Sequence, residues 1–510
     1  MIKIVPDPNG KRLGEAWRYG LAAGRAYEIL RADVQAHLRE IQEQIGFRHC
    51  RFHGLFHDDM QVAVRGTDGQ VKFQWSHVAK VLDFLISIGL KPFIELNPMP
   101  GAMASGDQTF FYWRMNVTPP KHWEEWEQLV ESFATWACRR YGTSEVRTWR
   151  FEVWNEPNLD AFWAGTQEEY FELFRRSRAA LKRVDSELKI GGPASAEGGW
   201  VPEFLSALGD ESDFISTHIY PMNEFATFAN RDESTFAPGE YMRDRLTQIR
   251  AQVGDHPLYI TEWNSLDAPD RDSVDWFDNP TIDSISSAAV TLRTGIELDG
   301  VVDGLFWWVA SDIFEECGMP QAPFSGTYGM LTIDGLPKPS FWAFQMLRQL
   351  TGQSAQIEGD LPAGVGVAAF QDAGCFRAAI WNHVVAGFPA REFQSEISLP
   401  EWMGDALITT WHVAPERGSA YELWQRMGKP QNPTPVQQRS LQFATSPQMA
   451  SWDAASGAEP VPIHLGPNEI LLIEWAPRGD AYVPKELLSE QALSWNNALA
   501  SVPAISGASS

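Results

Sequence analysis

Between residues 14 and 335 the chain repeats one pattern, in which an apolar strand is followed by a loop and an amphipathic helix. Short runs rich in β-branched and aromatic residues indicate the strands. The strand candidates are residues 17–22, 47–53, 92–96, 148–154, 189–193, 214–220, 258–263 and 304–309. Eight β/α units over about 320 residues predict a (β/α)8 TIM barrel, which is an α/β fold. No GxGxxG follows the first strand, which argues against an open dinucleotide-binding sheet.

Apolar residues at three- and four-residue spacing predict the helices between these strands. Such helices include residues 75–88, 123–141, 168–184, 241–253 and 282–298, with a further helix at 341–350 after the prolines at 337 and 339. The barrel is therefore assigned to residues 14–335 and a connecting helix to residues 336–351.

The composition changes beyond about residue 352, where glycine and proline punctuate short apolar runs. These runs are residues 365–370, 376–382, 396–399, 406–413, 461–465 and 469–475. Their spacing predicts an accessory antiparallel β-sandwich. We assign it to residues 352–480 together with residues 1–13, because an isolated N-terminal strand is not stable alone. Residues 481–510, rich in alanine and serine, are expected to form a surface tail.

The charge of the chain limits its partners. A formal net charge of −25 argues against nucleic acid and anionic membranes, which would repel the protein, and favours a neutral small-molecule substrate. The 22 tryptophans suit stacking on sugar rings, although tryptophan also fills large cores.

The cysteines and the N-terminus predict the compartment. Cys50, Cys138, Cys317 and Cys375 are scattered without a CxxC pair, so free thiols in a reducing compartment are expected. The first residues do not form a signal peptide, and no window approaches about 18 uninterrupted apolar residues. A cytoplasmic location is expected, with a periplasmic one open if a signal has been removed.

Two strand candidates end in a glutamate. Glu156 follows the fourth strand within Asn155-Glu156-Pro157, and Glu262 closes the seventh. Catalytic residues of a TIM barrel lie at the carboxyl ends of its strands. Hydrolysis of glycosides with retention needs one carboxylic acid/base and one carboxylate nucleophile about 5–5.5 Å apart. The pair therefore predicts a retaining glycosidase.

Three motifs together resemble glycoside hydrolase family 39, which holds β-xylosidases and α-L-iduronidases. They are Trp-Asn-Glu-Pro-Asn at 154–158, Thr-Glu-Trp at 261–263 and Ser-Asp-Ile-Phe-Glu-Glu at 311–316. The resemblance implies a barrel with a β-sandwich to which an N-terminal strand returns. It also implies that Glu156 is the general acid/base and Glu262 the nucleophile.

The same resemblance implies roles for residues at other strand ends. Tyr220 would hydrogen-bond the nucleophile, while His53 and His218 would line the sugar site. Trp308 would lie beneath the sugar and Glu316 would bind its hydroxyls. The neighbours Trp307 and Glu315 compete for the last two roles. The remaining substrate-binding candidate is Asn155, which lies beside the acid and can hydrogen-bond the sugar 2-hydroxyl.

Other polar residues are read as structural. Glu152 and Glu95 lie before their strand ends, so a paired charge inside the barrel is expected, and Arg51 is read as a buried structural arginine. His53 and His57 are four apart, but a strand-to-loop transition does not bring such residues together as a helix does. No metal and no cofactor are expected.

Together with the strand-end residues, the resemblance implies an exo-acting, retaining glycosidase that cleaves β-1,4-xylosidic bonds of xylobiose and short xylo-oligosaccharides. An α-L-iduronidase would need a lysine or arginine for the substrate carboxylate, and no obvious lysine lies at the strand ends. A β-glucosidase or arabinosidase activity stays open, as does a non-catalytic carbohydrate-binding barrel. A monomer is slightly favoured. The aromatic loop at residues 111–113 is a candidate wall near the aglycone.

Overall fold

The computed structural model describes residues 1–221, 240–265, 280–316, 318–385, 388–400 and 405–477. After strand β1 (Ile2–Pro6), eight parallel strands close into a barrel. They are β2 (Gly20–Arg25), β3 (His49–His53), β6 (Lys91–Leu96), β9 (Arg150–Val153), β10 (Ile190–Ala196), β11 (Phe214–His218), β12 (Leu258–Trp263) and β13 (Gly304–Trp307). The TIM-barrel prediction is confirmed. Two small hairpins, β4 (Ala63–Arg65) with β5 (Val71–Phe73) and β7 (Thr109–Phe110) with β8 (Met115–Asn116), lie in its loops.

Helices follow the barrel strands along the chain. They are α1 (Ala32–Gln44), α2 (Ser76–Ser87), α3 (Trp123–Tyr141), α4 (Thr143–Val146), α5 (Gln167–Val184), α6 (Val201–Leu208), α7 (Tyr241–Val253), α8 (Pro280–Asp283), α9 (Ser286–Glu297) and α10 (Pro339–Gln349). The single helix predicted at 282–298 is two helices, α8 and α9. A bend at Ser284 and Ile285 separates them.

Helix α5 illustrates how the sequence specifies these elements. Thr166 accepts a hydrogen bond from the backbone N–H of Glu169, whose side chain accepts one from the backbone N–H of Thr166. This capping box satisfies two N–H groups at the helix start. Buried residues then recur at three- and four-residue spacing, as at Tyr170, Phe174 and Leu181. Burying each of these large apolar side chains contributes roughly 1.5–3 kcal/mol.

An aromatic layer fills the barrel below the strand ends. Phe93, Phe214, Tyr259 and Phe306 come from four different strands and are buried. The ring centroids of Phe93 and Phe306 lie 4.6 Å apart, and those of Phe214 and Tyr259 lie 5.3 Å apart. Such layers make a barrel interior a packed core rather than a pore. Glu156 and Glu262 lie above this layer, at the carboxyl ends of the strands.

The rest of the described chain forms a second sheet. Its strands are β1, β14 (Gln353–Glu358), β15 (Val365–Asp372), β16 (Cys375–Asn382), β17 (Phe393–Ser398), β18 (Ala406–Pro415), β19 (Gly418–Ser419), β20 (Gln448–Ala454), β21 (Val461–Leu465) and β22 (Ile470–Pro477). Helices α11 (Tyr421–Arg426) and α12 (Pro435–Ala444) lie between β19 and β20. Buried residues from β1, β15 to β18 and β20 to β22 pack together in one apolar core.

The second sheet is mainly antiparallel, as predicted for the accessory domain, but two of its strand pairs are parallel. Strand β1 pairs antiparallel with β14 and parallel with β17. Because β14 and β17 run in opposite directions, any strand inserted between them must be parallel to one of the two. The short strand β19 is also parallel to its neighbour β18.

The structure describes three of the four cysteines. Cys50, Cys138 and Cys375 are free thiols, whereas Cys317 and the tail at residues 481–510 lie outside the described residues. Within the ranges that the structure describes, no helix is long and apolar enough to cross a membrane.

Candidate active site

The ends of β9, β11 and β12 bring together three side chains that the sequence singled out. One carboxylate oxygen of Glu156, one ring nitrogen of His218 and one carboxylate oxygen of Glu262 all lie within 4.8 Å of one another. Paired carboxyl groups about 5–5.5 Å apart are typical of retaining glycosidases, whereas inverting enzymes hold them roughly 6.5–9.5 Å apart. The spacing therefore fits retention.

A turn in the backbone places Glu156 over the barrel. Trp154 and Glu156 adopt left-handed conformations with φ of 68° and 43°, which are uncommon for non-glycine residues. The Trp154 ring packs away from the site, at 5.0 Å from the ring of Trp163. The backbone N–H of Glu156 donates to the carbonyl of Ala194 at 2.8 Å, which holds the turn against the next strand.

An irregularity in β12 aims Glu262 at the same point. Tyr259 faces the aromatic layer inside the barrel, while Trp263 packs outward, 5.2 Å from the ring of Trp307. The pairing register of β12 shifts beside Glu262 relative to both neighbouring strands. A bulge of this kind re-aims a side chain, so Tyr259 and Glu262 both face inward although three positions separate them.

Strong hydrogen-bond donors orient the Glu262 carboxylate. Nη1 of Arg51 donates to its Oε1 at 2.7 Å, and the Tyr220 hydroxyl donates to its Oε2 at 2.7 Å. His218 Nδ1 lies 3.4 Å from Oε2. Charge-assisted bonds of this length are the strong ones, so the carboxylate is fixed with both oxygens engaged.

Glu156 lies in different surroundings. Burial raises its pKa to about 7, and the nearby Arg51 charge lowers it only in part. Among the described residues its recorded side-chain partner is His218, whose Nδ1 lies 2.9 Å from Oε1. A carboxyl group with this pKa is about half protonated at neutral pH and can give a proton away.

The tautomer of His218 follows from its neighbours. Burial lowers its pKa to about 4, so the ring is neutral at neutral pH. Nε2 lies 3.4 Å from Nη2 of Arg51, which can only donate, so Nε2 is the acceptor,. Nδ1 therefore carries the proton and donates a hydrogen bond to Oε1 of Glu156. The acidic proton of Glu156 is then left on Oε2.

Arg51 connects most of these groups, and its side chain is completely buried. Its nitrogens contact four acceptors at 2.7–2.9 Å, namely Glu95, Glu152, Asn155 and Glu262. The paired charges expected for Glu95 and Glu152 are present, but Arg51 also contacts the candidate nucleophile directly. The sequence reading missed this role. Its signal was strand parity, since Arg51 lies two residues before His53.

Asn155 and His53 complete the inner wall of the site. The Asn155 amide oxygen accepts from Arg51 at 2.9 Å, which leaves the amide NH2 as a donor beside Glu156. His53 Nδ1 lies 2.9 Å from both oxygens of Glu95, and Nε2 lies 3.6 Å from Oε1 of Glu262. Burial lowers the pKa of His53 to about 3, so this ring is also neutral.

The structure separates the two tryptophans of β13. Trp308 lies 4.6 Å from the ring of His53 and packs edge-on against Phe314. Trp307 packs on the opposite side, with ring centroids 5.4 Å from Phe344 of α10. Trp308 is therefore the one that reaches the site.

The two neighbouring glutamates are separated as well. Glu315 forms an ion pair with Arg25 at 2.5 Å. Burial and the charges of Glu262 and Glu156 raise the pKa of Glu316 well above its usual range, which places its carboxyl close to the pair. Glu316 is the one that joins the site. Its carbonyl accepts from the backbone N–H of Tyr112 at 2.7 Å, so the aromatic loop at 111–113 borders the same cleft.

Glu156, His218 and Glu262 could in geometric terms bind a cation. However, His218 Nδ1 carries the proton donated to Glu156, and Arg51 and Tyr220 already occupy the oxygens of Glu262. His57 lies outside this group, with its Nδ1 2.8 Å from Oδ1 of Asp59. The absence of a metal and of a cofactor stays a prediction, as do the individual roles of the site residues.

Comparisons with known proteins show which family the chain is similar to. Residues 1–458 match the family model described as "Glycosyl hydrolases family 39". A beta-xylosidase of Caldicellulosiruptor saccharolyticus is 44% identical over 359 residues, covering 68% of this chain and 72% of that protein. A beta-xylosidase of Geobacillus stearothermophilus is 33% identical over 488 residues, covering 92% and 94%. The crystal structure of a monomeric beta-xylosidase from Caulobacter crescentus CB15 aligns with a TM-score of 0.82 and 30% identity, covering 94% of this chain and 100% of that chain.

Proposed function

This chain belongs to glycosyl hydrolases family 39 and is a glycoside hydrolase. We propose that it is a retaining, exo-acting β-xylosidase. It releases D-xylose from xylobiose and short β-1,4-xylo-oligosaccharides. The observation that carries the proposal is the pair of carboxyl groups at the ends of β9 and β12, which approach within 4.8 Å and have unlike surroundings. The beta-xylosidases among its relatives support the choice of sugar.

In the first step the Glu262 carboxylate attacks the anomeric carbon while Glu156 protonates the departing glycosidic oxygen. The bond between C1 and that oxygen breaks, and a bond between C1 and Glu262 forms. Arg51 and Tyr220 hold Glu262 at 2.7 Å each, so the nucleophile does not need to reorganise before the attack. The proton on Oε2 of Glu156 is the one transferred.

In the second step Glu156, now a carboxylate, removes a proton from water as the water oxygen attacks C1. The bond to Glu262 breaks, and the sugar leaves with its original anomeric configuration. Glu262 is neutral as an ester during this stage, which removes its negative charge from the surroundings of Glu156. Asn155 donates to the sugar 2-hydroxyl, a contact that strengthens in the oxocarbenium-like transition states.

The surroundings of Arg51 favour a neutral sugar over a uronic acid. A substrate carboxylate would need a cation with free donors, but Arg51 is already bound to Glu262, Glu152 and Glu95. Arg25, at the edge of the cleft, is paired with Glu315. The aromatic surface of Trp308 and the carboxyl of Glu316 suit an uncharged pentose with hydroxyl donors.

A panel of aryl glycosides tests the choice of sugar. We expect kcat/KM on aryl β-D-xyloside to exceed that on aryl β-D-glucoside and aryl α-L-arabinoside. The site would have to accommodate the extra hydroxymethyl group of the glucoside or the different ring of the arabinoside. No turnover of an α-L-iduronide is expected. A higher kcat/KM on any other glycoside would replace the xylosidase assignment while leaving the mechanism in place.

A further inference from the structure

A second cavity lies at the opposite end of the barrel from the site. It has a volume of about 320 Å³ and is formed where the chain entering β2, the end of α10 and the second sheet meet. Its lining consists of residues 12–15, Trp17, Arg18, residues 347–352 and Arg377. Binding sites for small molecules begin at about this size.

The lining is strongly basic in an otherwise acidic protein. Arg12, Arg18, Arg348 and Arg377 line the cavity, against one carboxylate, that of Glu15. The whole chain has a formal net charge of −25. Four guanidinium groups around one cavity repel one another unless anions lie between them.

Part of this charge is balanced within the chain. Glu15 accepts a hydrogen bond from Arg18. Arg377 donates to Glu474 at 2.6 Å and to the hydroxyl of Thr351 at 3.0 Å. These contacts fix the two guanidinium groups at the edges of the cavity, one from the barrel and one from the sheet.

Arg348 lacks such a balance. Nη1 donates to the backbone carbonyl of Glu43, in the last turn of α1, at 2.9 Å. In the part of the chain that the structure describes, no carboxylate is among the groups that act on this half-buried guanidinium. Burial and the charge of Arg18 lower the pKa of Arg348. A half-buried cation without a counter-ion is costly, so an external anion would stabilise it.

We propose that this cavity binds a phosphate-type oxyanion, either free phosphate or the phosphate group of a small sugar, through Arg348, Arg18 and Arg12. Guanidinium groups match the oxygens of phosphate in bidentate geometry, which makes arginine the preferred residue for such sites. The bound anion would link the barrel to the second sheet. Its expected effect is on the stability of the protein, so it does not depend on the sugar that the active site cleaves.

Thermal unfolding of the full chain tests the proposal. Inorganic phosphate, glucose 6-phosphate and glucose are each added, and sodium chloride holds the ionic strength constant because general screening also stabilises an acidic protein. We expect phosphate or glucose 6-phosphate to raise the Tm by about 2–5 °C at saturating concentration, and glucose to leave it unchanged. The larger of the two shifts identifies the free or sugar-bound source.

Variants locate the effect. Arg348→Gln should abolish the phosphate-dependent shift and Arg12→Gln should reduce it. Arg439→Gln, which removes an equal charge from the exposed surface of α12, should retain it fully. If Arg348→Gln does not fold, Arg12→Gln and Arg348→Lys replace it in the comparison with Arg439→Gln. Arg348→Lys keeps the positive charge but loses the bidentate guanidinium, so it should reduce the phosphate-dependent shift. A shift no larger than that of sodium chloride, or one that persists in Arg348→Gln, overturns the proposal.

Discussion

The ends of β9 and β12 each carry a glutamate, but the two carboxyl groups have different hydrogen-bonding partners. Glu262 accepts hydrogen bonds from a buried cation and a tyrosine hydroxyl, each at 2.7 Å. Glu156 lies partly buried beside a neutral histidine, and desolvation raises its pKa to about 7. Two identical side chains thereby become suited to different tasks, one to attack carbon and one to move a proton. The surroundings, rather than the residue type, assign the roles.

Removing Glu262 should have the largest effect. In Glu262→Ala no covalent intermediate can form, and we expect kcat to fall by about 10⁴-fold or more on every substrate. Steady-state rates on xylobiose and on an aryl β-xyloside measure this loss, with the exposed Glu459→Ala as a control. Comparable residual activity on both substrates agrees with a nucleophile, whereas loss on xylobiose alone would reassign Glu262 as the acid.

Removing Glu156 should separate the substrates. The departing sugar of xylobiose needs protonation, so Glu156→Ala should lower its kcat/KM by about 10²–10⁴-fold. An activated aryl group leaves without a proton, so formation of the glycosyl-enzyme should be nearly normal and only its hydrolysis slow. A burst of phenol release measures this. Equal losses on both substrates would contradict the acid role.

The external nucleophile azide sharpens the same comparison. In Glu156→Ala azide should restore turnover of the aryl xyloside and give the β-azide, because it attacks the glycosyl-enzyme without base assistance. In Glu262→Ala azide should occupy the place of the lost carboxylate and give the α-azide. Proton NMR of the two products distinguishes the roles, and the same anomer from both variants would remove the distinction.

The pH profile should report Glu156. Its pKa of about 7 means that the acid form is present below pH 7 and is lost as pH rises through that value. We expect kcat/KM on xylobiose to fall about tenfold per pH unit on the alkaline side. The alkaline limb should disappear in Glu156→Ala, and a limb that remains would show that another group supplies the proton.

Tyr220→Phe should have the smallest effect. It removes one donor from Oε2 of Glu262 and leaves Arg51 in place, so we expect a roughly tenfold loss of kcat, or ~1.4 kcal/mol. Tyr141→Phe is the matched control, since it deletes a hydroxyl that donates to Asp83 at 2.9 Å on the helical surface. An unchanged kcat in Tyr220→Phe would mean that Arg51 alone orients the nucleophile.

The strand periodicity was enough to predict the barrel and to place Glu156 and Glu262 at strand ends. It could not predict that the two face each other, because the bulge in β12 and the positive φ of Glu156 break the alternation on which parity arguments rest. Arg51 is buried and paired as expected, but its contact with Glu262 was missed for a related reason, since hydrogen-bonding partners come from strands distant in sequence. The direction of β1 in the second sheet likewise depends on two strands more than 340 positions away.

The configuration of the first-formed product tests the central claim most directly. Proton NMR of the anomeric region during hydrolysis of xylobiose follows xylose before it mutarotates. We predict that β-xylose appears first, because two displacements at C1 by Glu262 and then water restore the original configuration. Initial release of α-xylose would mean a single displacement, and it would contradict the assignment of Glu262 as the nucleophile.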